Sequence, residues 1–253
     1  MRGTICLNAD IGELPGMDGR ALDRAILDIV SRCNIACGGH AGDTDSMIAT
    51  VKAAKARKVL IGAHPSYPDR KNFGRASVRM SREALESSLL MQVRTLMRIA
   101  QLDNAQLTHL KPHGALYNDA ATAPDLAGLI GGATRQLGIL ALMGPPGSAL
   151  QSAADQYGLE FIAEGFADRR YNPDGSLVSR NTSGAVLDHV DDITEQALQL
   201  VRCESLKAID GTSIDMKVDS ICLHSDTSDA IKAALGLREA LRSNGIRIEA
   251  AAA

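Results

Sequence analysis

The chain of 253 residues is 45% hydrophobic and 23% charged, with a net charge of -3 at neutral pH. A charge this small offers no electrostatic surface for nucleic acid or anionic lipid, so neither kind of partner is expected. Aromatic residues make up 3% of the chain and tryptophan is absent, which argues against a base-stacking platform and an aromatic sugar-binding cleft. These properties indicate a single domain over residues 1–253 that binds a small, polar molecule.

Five cysteines are scattered along the chain, mostly inside apolar runs. An odd, dispersed set is typical of reduced core thiols in a cytoplasmic protein rather than of a disulfide framework. The first stretch, "MRGTICLNAD", meets an aspartate before any signal-like apolar core develops, and no later apolar run approaches the ~18–20 residues of a membrane span. We therefore expect a cytoplasmic protein.

Short β-type runs alternate with helical patterns along the chain. The predicted strands are Thr4–Asp10, Cys33–Gly38, Lys58–His64, Gln106–Gly114, Ile139–Gly144, Leu159–Gly165 and Val218–Asp226, with Gly245–Ala250 as a closing strand. The predicted helices are Ala21–Val30, Thr44–Arg57, Ser81–Leu102, one after Pro124, Ser148–Tyr157, about Asp192–Val201 and about Ser228–Ser243. Asp43 and Ser81 stand at positions typical of helix N-caps.

Seven such units, or eight with the last run, imply parallel strands joined by right-handed crossovers. In about 250 residues this number of units fits a closed (β/α) barrel of seven or eight parallel strands better than an open doubly wound sheet. The doubly wound alternative stays open, although no G-x-G-x-x-G follows the first strand and no G-x-x-x-x-G-K-[ST] occurs. "GPPGS", Gly144–Ser148, is a weak candidate for an anion-binding turn, and an ordinary strand-to-helix turn explains it equally well.

Polar residues follow nearly every predicted strand. Because the carboxyl ends of barrel strands line one mouth, these side chains should converge however far apart they lie in sequence. Five of the six histidines fall in or just after a predicted strand, whereas exposed filler would fall mainly on helices and loops. The residues at the strand ends are Asn8, Asp10, Glu13, His40, Asp43, His64, Ser66, Asp69, Lys111, His113, Ser148, Glu164, Asp168, Arg169, His224 and Asp226.

The fourth unit, "HLKPHG", carries the most local information. His109, Lys111 and His113 share one face by period-two alternation, and this polar face should look into the barrel. A buried lysine is costly unless it is paired, so Asp10 or Glu164 is the predicted counter-ion. A purely structural ion pair that fills the barrel interior is the alternative interpretation.

For His40 alone, packing explains a buried histidine better than function does. Together with His64, His113 and His224 at equivalent strand ends, it indicates an active site. Two carboxylates and two or three histidines could bind a divalent metal or could run acid–base chemistry without one, and the spacing does not decide between these.

Six ordered motifs between Leu7 and Ile246 resemble those of the LamB/YcsF family. They are "LNADIGE", "NIACGGHAGD", "IGAHPSYPD" with "FGR", "HLKPHGALYN", "EGFADRRY" with "DGSLVSR", and "ICLHSD". The resemblance implies a polysaccharide-deacetylase-like (β/α) barrel that acts with two partner subunits in ATP-dependent opening of 5-oxoproline to glutamate. The chain departs from the family pattern at Gly39, Thr44 and Ser225, where the family more often has a bulky aromatic, a proline and a glycine.

This resemblance and the strand ends together give the candidate site. The candidate catalytic residues are Asp10, His40, His64, Lys111 and His113, and the candidate substrate-binding residues are Glu13, Asp43, Glu164, Asp168, Arg169 and His224. If a divalent metal is present, its expected ligands are Asp10, His40, His64 and His113. ATP is expected to be handled by the complex rather than by this chain alone, and a homo-oligomer is compatible with the sequence.

Specific roles follow as hypotheses. Arg169 or Lys111 would face the substrate carboxylate or a phosphate, while Asp10 and His113 would handle protons. His40 and His64 would orient water or hold an ion. Two alternatives stay open: a stand-alone metal-dependent amidase or deacetylase, and a non-catalytic subunit of the complex.

Overall fold

The strands and helices are those of a repeated β/α protein. In the computed structural model, which describes residues 3–223 and 230–250, the strands are β1 Thr4–Ile11, β2 Arg32–Ala36, β3 Leu60–His64, β4 Leu107–Leu110, β5 Ala141–Gly144, β6 Glu160–Phe166, β7 Leu206–Lys207, β8 Ser213–Ile214, β9 Ser220–Leu223 and β10 Arg247–Ile248. The helices are α1 Gly16–Leu27, α2 Thr44–Ala56, α3 Arg82–Leu102, α4 Gly114–Thr122, α5 Pro124–Gln136, α6 Ala149–Tyr157, α7 Val190–Arg202 and α8 Ala230–Ser243.

Seven parallel strands close into a barrel in the order β1-β2-β3-β4-β5-β6-β9, and β9 pairs back with β1. The barrel prediction is therefore confirmed, and the open doubly wound sheet is excluded. The prediction that Gly245–Ala250 closes the barrel was wrong. Its strand β10 pairs with Thr4 and Ile5 at the start of β1, whereas β9 pairs with β1 from Cys6 to Ala9 and closes the barrel.

The barrel strands alternate strictly between two environments. Leu7, Ala9 and Ile11 of β1 belong to the main core between the sheet and the helices. The intervening Asn8 and Asp10 make their hydrogen bonds to residues of neighbouring strands inside the barrel. A small apolar cluster of Ala141, Met143 and Ile162 fills the interior beside β5 and β6. The rest of the interior is polar, which is the physical setting of the site.

Local sequence signals explain most helix boundaries. Asp43 caps α2 by accepting a hydrogen bond from the backbone N–H of Ser46, and Ser81 caps α3 through Ala84. Helix α4 was not predicted. Ala123, the residue before Pro124, is extended, which ends α4 and lets α5 begin at the proline.

Three further features complete the fold. The short antiparallel pair β7–β8 was not predicted either. All five cysteines are free, and four are buried as expected, whereas Cys203 is exposed. Among the helices that the structure describes, none has both the length and the apolar character that crossing a bilayer requires.

Candidate active site at the barrel mouth

The carboxylates of Asp10 and Glu13 come from the end of β1. Gly12 between them has a φ of 74°, a left-handed conformation that favours glycine, and it turns the chain out of the strand. The Gly12 N–H donates to Asp23 Oδ2 at 3.1 Å, which fixes this turn. Burial raises the pKa of Asp23 to about 6, although this hydrogen bond opposes the shift.

His40 lies in the loop after β2. Gly38 and Gly42, with φ of 93° and 83°, allow this loop to double back, and the Gly38 N–H donates to the Ala41 carbonyl at 2.8 Å. As a result His40 Nε2 lies 2.9 Å from Glu13 Oε1. Its ring stacks on that of His113, with centroids 3.6 Å apart and planes inclined by 4°.

The last residue of β3, His64, is held in one tautomer. Its Nδ1 lies 2.8 Å from the carbonyl oxygen of Lys111, which can only accept, so Nδ1 carries the hydrogen. The other ring nitrogen, Nε2, faces the carboxylates, 3.2 Å from Asp10 Oδ2 and 3.9 Å from Glu13 Oε1.

The same logic fixes His113, which precedes α4. Its Nε2 donates to the carbonyl of Phe73 at 2.9 Å, so the neutral ring has its lone pair on Nδ1. That atom lies 3.0 Å from His64 Nε2 and 3.3 Å from Glu13 Oε1. Two imidazole lone pairs and a carboxylate oxygen thus face one another, an arrangement that repels itself unless a cation or a proton lies between them.

Glu13, His40, His64 and His113, here called the donor cluster, fit a divalent metal. Their four nearest ligand atoms lie within 4.8 Å of one another. Carbonyl groups hold the outer ring nitrogens of His64 and His113, the arrangement usual for metal-bound histidine. Burial lowers the pKa of His40 to about 2 and that of His113 well below its usual range, so these rings are neutral and able to bind a metal. In this set Glu13 takes the place predicted for Asp10.

Asp10 is engaged instead by Lys111. The Lys111 ammonium lies 2.9 Å from Asp10 Oδ1, 2.8 Å from Glu164 Oε1 and 3.2 Å from Cys222 Sγ. The predicted pairing is therefore confirmed, with both carboxylates rather than one. Burial alone would lower the pKa of Lys111, but its anionic neighbours, Asp10 foremost, hold it well above its usual range. Lys111 is a fixed cation.

A cleft of about 760 Å³ opens above these groups and is called the mouth cleft. Asp10, Glu13, His64, Lys111, His113, Glu164 and Arg169 all line it. The Arg169 side chain is 6% exposed, its Nη2 donates to the carbonyl of Val178, and Nε has no hydrogen-bond partner among the described residues. Arg75 and Arg180 line the same cleft. Burial, and then the charge of Arg180, lowers the pKa of Arg169 to about 10.

Two predicted substrate-binding residues do not line the mouth cleft, and a third is not described. The Asp43 carboxylate caps α2 in a reciprocal capping box with Ser46, so its polar character serves the helix. Asp168 is buried beside Arg169 but does not line the cleft, and its carbonyl accepts from Leu187. His224 lies outside the described residues.

Sequence reasoning missed several polar groups that face the same interior. Tyr117 is fully buried on the unpredicted helix α4, with burial and Glu164 raising its pKa. Arg75 follows the "FG" turn whose carbonyl anchors His113. Asn34 lies deeper in the barrel and bonds to His109, whose inward orientation was predicted. The period-two alternation that placed His109 could also have found Asn34.

The departure at Gly39 has a structural counterpart. A Cβ atom there would lie 2.4 Å from Gln92 Oε1 and 2.5 Å from Ser66 Oγ. Gln92 clamps the backbone of Ser66, accepting from its N–H at 3.0 Å and donating to its carbonyl at 2.9 Å. Gly39 thus leaves room for a glutamine that anchors the segment just after His64.

Fold and site together define a βα-barrel protein with a buried carboxylate–histidine centre at the carboxyl ends of its strands. The LamB/YcsF family profile matches residues 5–253, and the chain belongs to this family. A protein named as the A subunit of 5-oxoprolinase, from Methylococcus capsulatus, is 43% identical over 99% of this chain and 96% of its own length. One of the same name from Cutibacterium acnes is 41% identical over 98% and 99%.

Solved structures agree. The lactam utilization protein from Thermus thermophilus superposes with a TM-score of 0.89 at 32% identity, covering 98% of this chain and 100% of that one. A putative cellobiose-phosphate cleavage protein from Enterococcus faecalis has a TM-score of 0.60 at 14% identity over 98% and 97% of the two chains, and shows likeness of fold alone.

Proposed function

We propose that this chain is the barrel subunit of an ATP-dependent 5-oxoprolinase, a hydrolase that opens 5-oxo-L-proline to L-glutamate. Relatives named for that enzyme match nearly the whole chain. Because they are named as one lettered subunit, their names support assembly with further subunits, which we take to be two. A five-membered lactam is a stabilised amide, which is a chemical reason to couple its opening to cleavage of ATP. Binding of ATP is assigned to the partners, because the sequence contains no P-loop motif.

The observation that carries the proposal is the convergence of the donor cluster with Asp10 beneath the mouth cleft. We assign the donor cluster to a divalent cation, with Zn²⁺ the candidate that suits three imidazoles and a carboxylate. When bound, such an ion polarises the amide carbonyl and acidifies water.

Asp10 is assigned as the general base. Lys111 and Asn34 bond to its Oδ1 at 2.9 and 2.7 Å, which holds the carboxylate still while Oδ2 faces His64. A carboxylate held in this way can accept the proton of an attacking water. Lys111 donates to Asp10 and Cys222 and forms an ion pair with Glu164, so it serves to fix charge rather than to bind substrate.

Arg169 is the better partner for the substrate carboxylate. Its Nε has no described acceptor, and the guanidinium geometry suits a carboxylate or a phosphate. Arg75 and Arg180 make this side of the mouth cleft more positive. The substrate would then be held by its carboxylate while its amide lies over the donor cluster.

The test is a coupled assay in which 5-oxoproline, ATP and three purified subunits are combined with each subunit omitted in turn. We expect glutamate and ADP to form together only in the complete mixture, and a chelator to reduce the rate. If the other two subunits reach the full rate without this chain, the chain is either a non-catalytic subunit or has no part in the reaction.

A stand-alone metal-dependent amidase is the second candidate, and the donor cluster is the observation that favours it. The discriminating result is hydrolysis of a simple amide by this chain alone, independent of ATP and lost on treatment with chelator.

A further inference from the structure

We propose that His109 and Asn34 are positioning residues that fix the orientation of the Asp10 carboxylate through a one-directional chain of hydrogen bonds inside the barrel. The proposal rests on the role assigned to Asp10 above and identifies how the fold enforces that role. His109 and Asn34 are fully buried, and neither lines the mouth cleft. They therefore act on the reaction only through Asp10.

The direction of the chain follows from the donors and acceptors of Asn34. Its Nδ2 donates both hydrogens, to Asp10 Oδ1 at 2.7 Å and to Asn8 Oδ1 at 2.8 Å. Asn34 Oδ1 is therefore an acceptor only, and His109 Nε2, 2.8 Å away, must donate to it. This requirement assigns the hydrogen of His109 to Nε2.

The other side of the imidazole agrees with this tautomer. His109 Nδ1 then accepts, and two donors lie within reach: Arg32 Nη1 at 3.5 Å and the Thr108 hydroxyl at 2.9 Å, which also contacts the Ile61 carbonyl at 3.2 Å. Burial, reinforced by the charge of Arg32, lowers the pKa of His109 well below its usual range, so the ring is neutral. Hydrogen bonds that run in one direction polarise one another, which strengthens the last bond onto Asp10.

The fold reserves space for this imidazole. Gly62 on β3 lies beside the ring, and a Cβ at that position would come within 2.3 Å of His109 Nε2. Its φ is not in the left-handed region, so the need for glycine here is a need for space. Glycine at position 62 therefore admits a histidine on the neighbouring strand β4 at the depth of Asn34.

Removing His109 should loosen the orientation of the Asp10 carboxylate. Without its donor, Asn34 Oδ1 is left buried and unsatisfied, and the amide is held only by its own two donated bonds, so the hydrogen bond that it makes to Asp10 Oδ1 is less firmly oriented. The carboxylate would then turn away from its alignment with His64 Nε2. Binding of substrate at Arg169 would be unaffected.

The experiment compares His109→Gln, which keeps an amide donor, with His109→Leu, which does not. In the complete complex we expect His109→Leu to lower kcat by ~10–100-fold at unchanged KM, the usual size for loss of an outer-shell partner. His109→Gln should recover most of that loss. Leu96→Ala, a fully buried change in α3, is the control for destabilisation alone.

A second measurement keeps the test independent of the proposed reaction. Histidine ¹⁵N NMR of the full-length chain should show His109 as the neutral Nε2–H tautomer, and His64 resonances that shift in His109→Leu but not in His109→Gln. An Nδ1–H tautomer, or equal effects of the two variants on kcat and on the His64 resonances, would overturn the proposal. An inactive wild-type complex with the expected NMR result would instead refute the proposed function.

Discussion

Lys111 binds both oxygens of Asp10, at 2.9 and 3.3 Å, inside the barrel. Because Glu164 is also within 2.8 Å, two buried carboxylates depend on one ammonium group. Removing that group would leave two negative charges close together in a setting with little water.

The Lys111→Met variant should therefore be less stable than wild type by about 3–5 kcal/mol, the usual result of deleting one member of a buried pair. Urea denaturation at pH 7 measures the change. Lys52→Met, an exposed position on α2, is the matched control and should leave stability nearly unchanged. Partial recovery is expected when Glu164→Gln is added, because one stranded charge is then removed. If Lys111→Met unfolds like wild type, the pair is not a stabilising element.

Metal binding should depend on the donor cluster. His64→Ala and His113→Ala should each weaken Co²⁺ or Zn²⁺ binding by at least ~10-fold, since each removes one of four donors. Elemental analysis of protein purified without added metal, followed by titration with Co²⁺ and visible spectroscopy, measures the effect. His189→Ala changes an exposed histidine at the start of α7 and is the control. If both cluster variants bind Co²⁺ or Zn²⁺ with the affinity of wild type, the donor cluster is not a metal site.

Asp23 should make stability depend on pH. Its folded pKa of about 6 lies above the ordinary value of 3.8, so between these pH values the folded chain holds a proton that the unfolded chain releases. The free energy of unfolding therefore falls as pH rises through this window, by on the order of 3 kcal/mol. Asp23→Asn should abolish that fall.

Urea denaturation at pH 4 and pH 8 tests this sign. The free energy of unfolding of Asp23→Asn, relative to that of wild type, should be higher at pH 8 than at pH 4. Asp18→Asn removes an exposed carboxylate from the same helix and is the matched control for the loss of a charge. The opposite ordering for Asp23→Asn would mean that the carboxylate is stabilised, not penalised, by its surroundings.

Arg169 should act on substrate affinity. Arg169→Met is expected to raise KM for 5-oxoproline in the complete complex by ~10-fold or more, because it removes a charge-assisted contact to the carboxylate. The variant should discriminate less between 5-oxoproline and 2-pyrrolidinone, which lacks the carboxylate. Arg57→Met, which breaks a surface pair with Asp28, is the control. An unchanged KM ratio for the two lactams would place the carboxylate elsewhere.

Strand alternation and helix caps were readable from the sequence. Asn8 and Asp10 were both predicted at the mouth, and Asp10 lines the mouth cleft whereas Asn8 does not. The caps at Asp43 and Ser81 correctly marked two helix starts. Asp43 was also predicted to bind substrate, because a capping carboxylate and a ligand-binding carboxylate look alike in sequence. Only the structure shows that its oxygen is occupied by Ser46.

The arrangement within the site depends on geometry that no spacing rule carries. Asp10 and Glu13 lie at the end of one strand, and the turn at Gly12 decides which of them joins the histidines. His109 shares the inward face with Lys111 and His113, but its depth in the barrel depends on the register of β3 against β4, which has an irregularity beside Gly62.

The contact between Gly39 and Gln92 limits the order in which this site can change during evolution. A side chain at position 39 meets the amide of Gln92 at once, so a first substitution there loosens the segment that follows His64. Shortening residue 92 first would remove one of the two obstacles, but it would also release the clamp on Ser66 and would leave Ser66 Oγ 2.5 Å from the new Cβ. A residue larger than glycine at position 39 therefore requires the segment after His64 to move as well as a change at position 92. Positions 39, 66 and 92 should thus change together rather than one at a time.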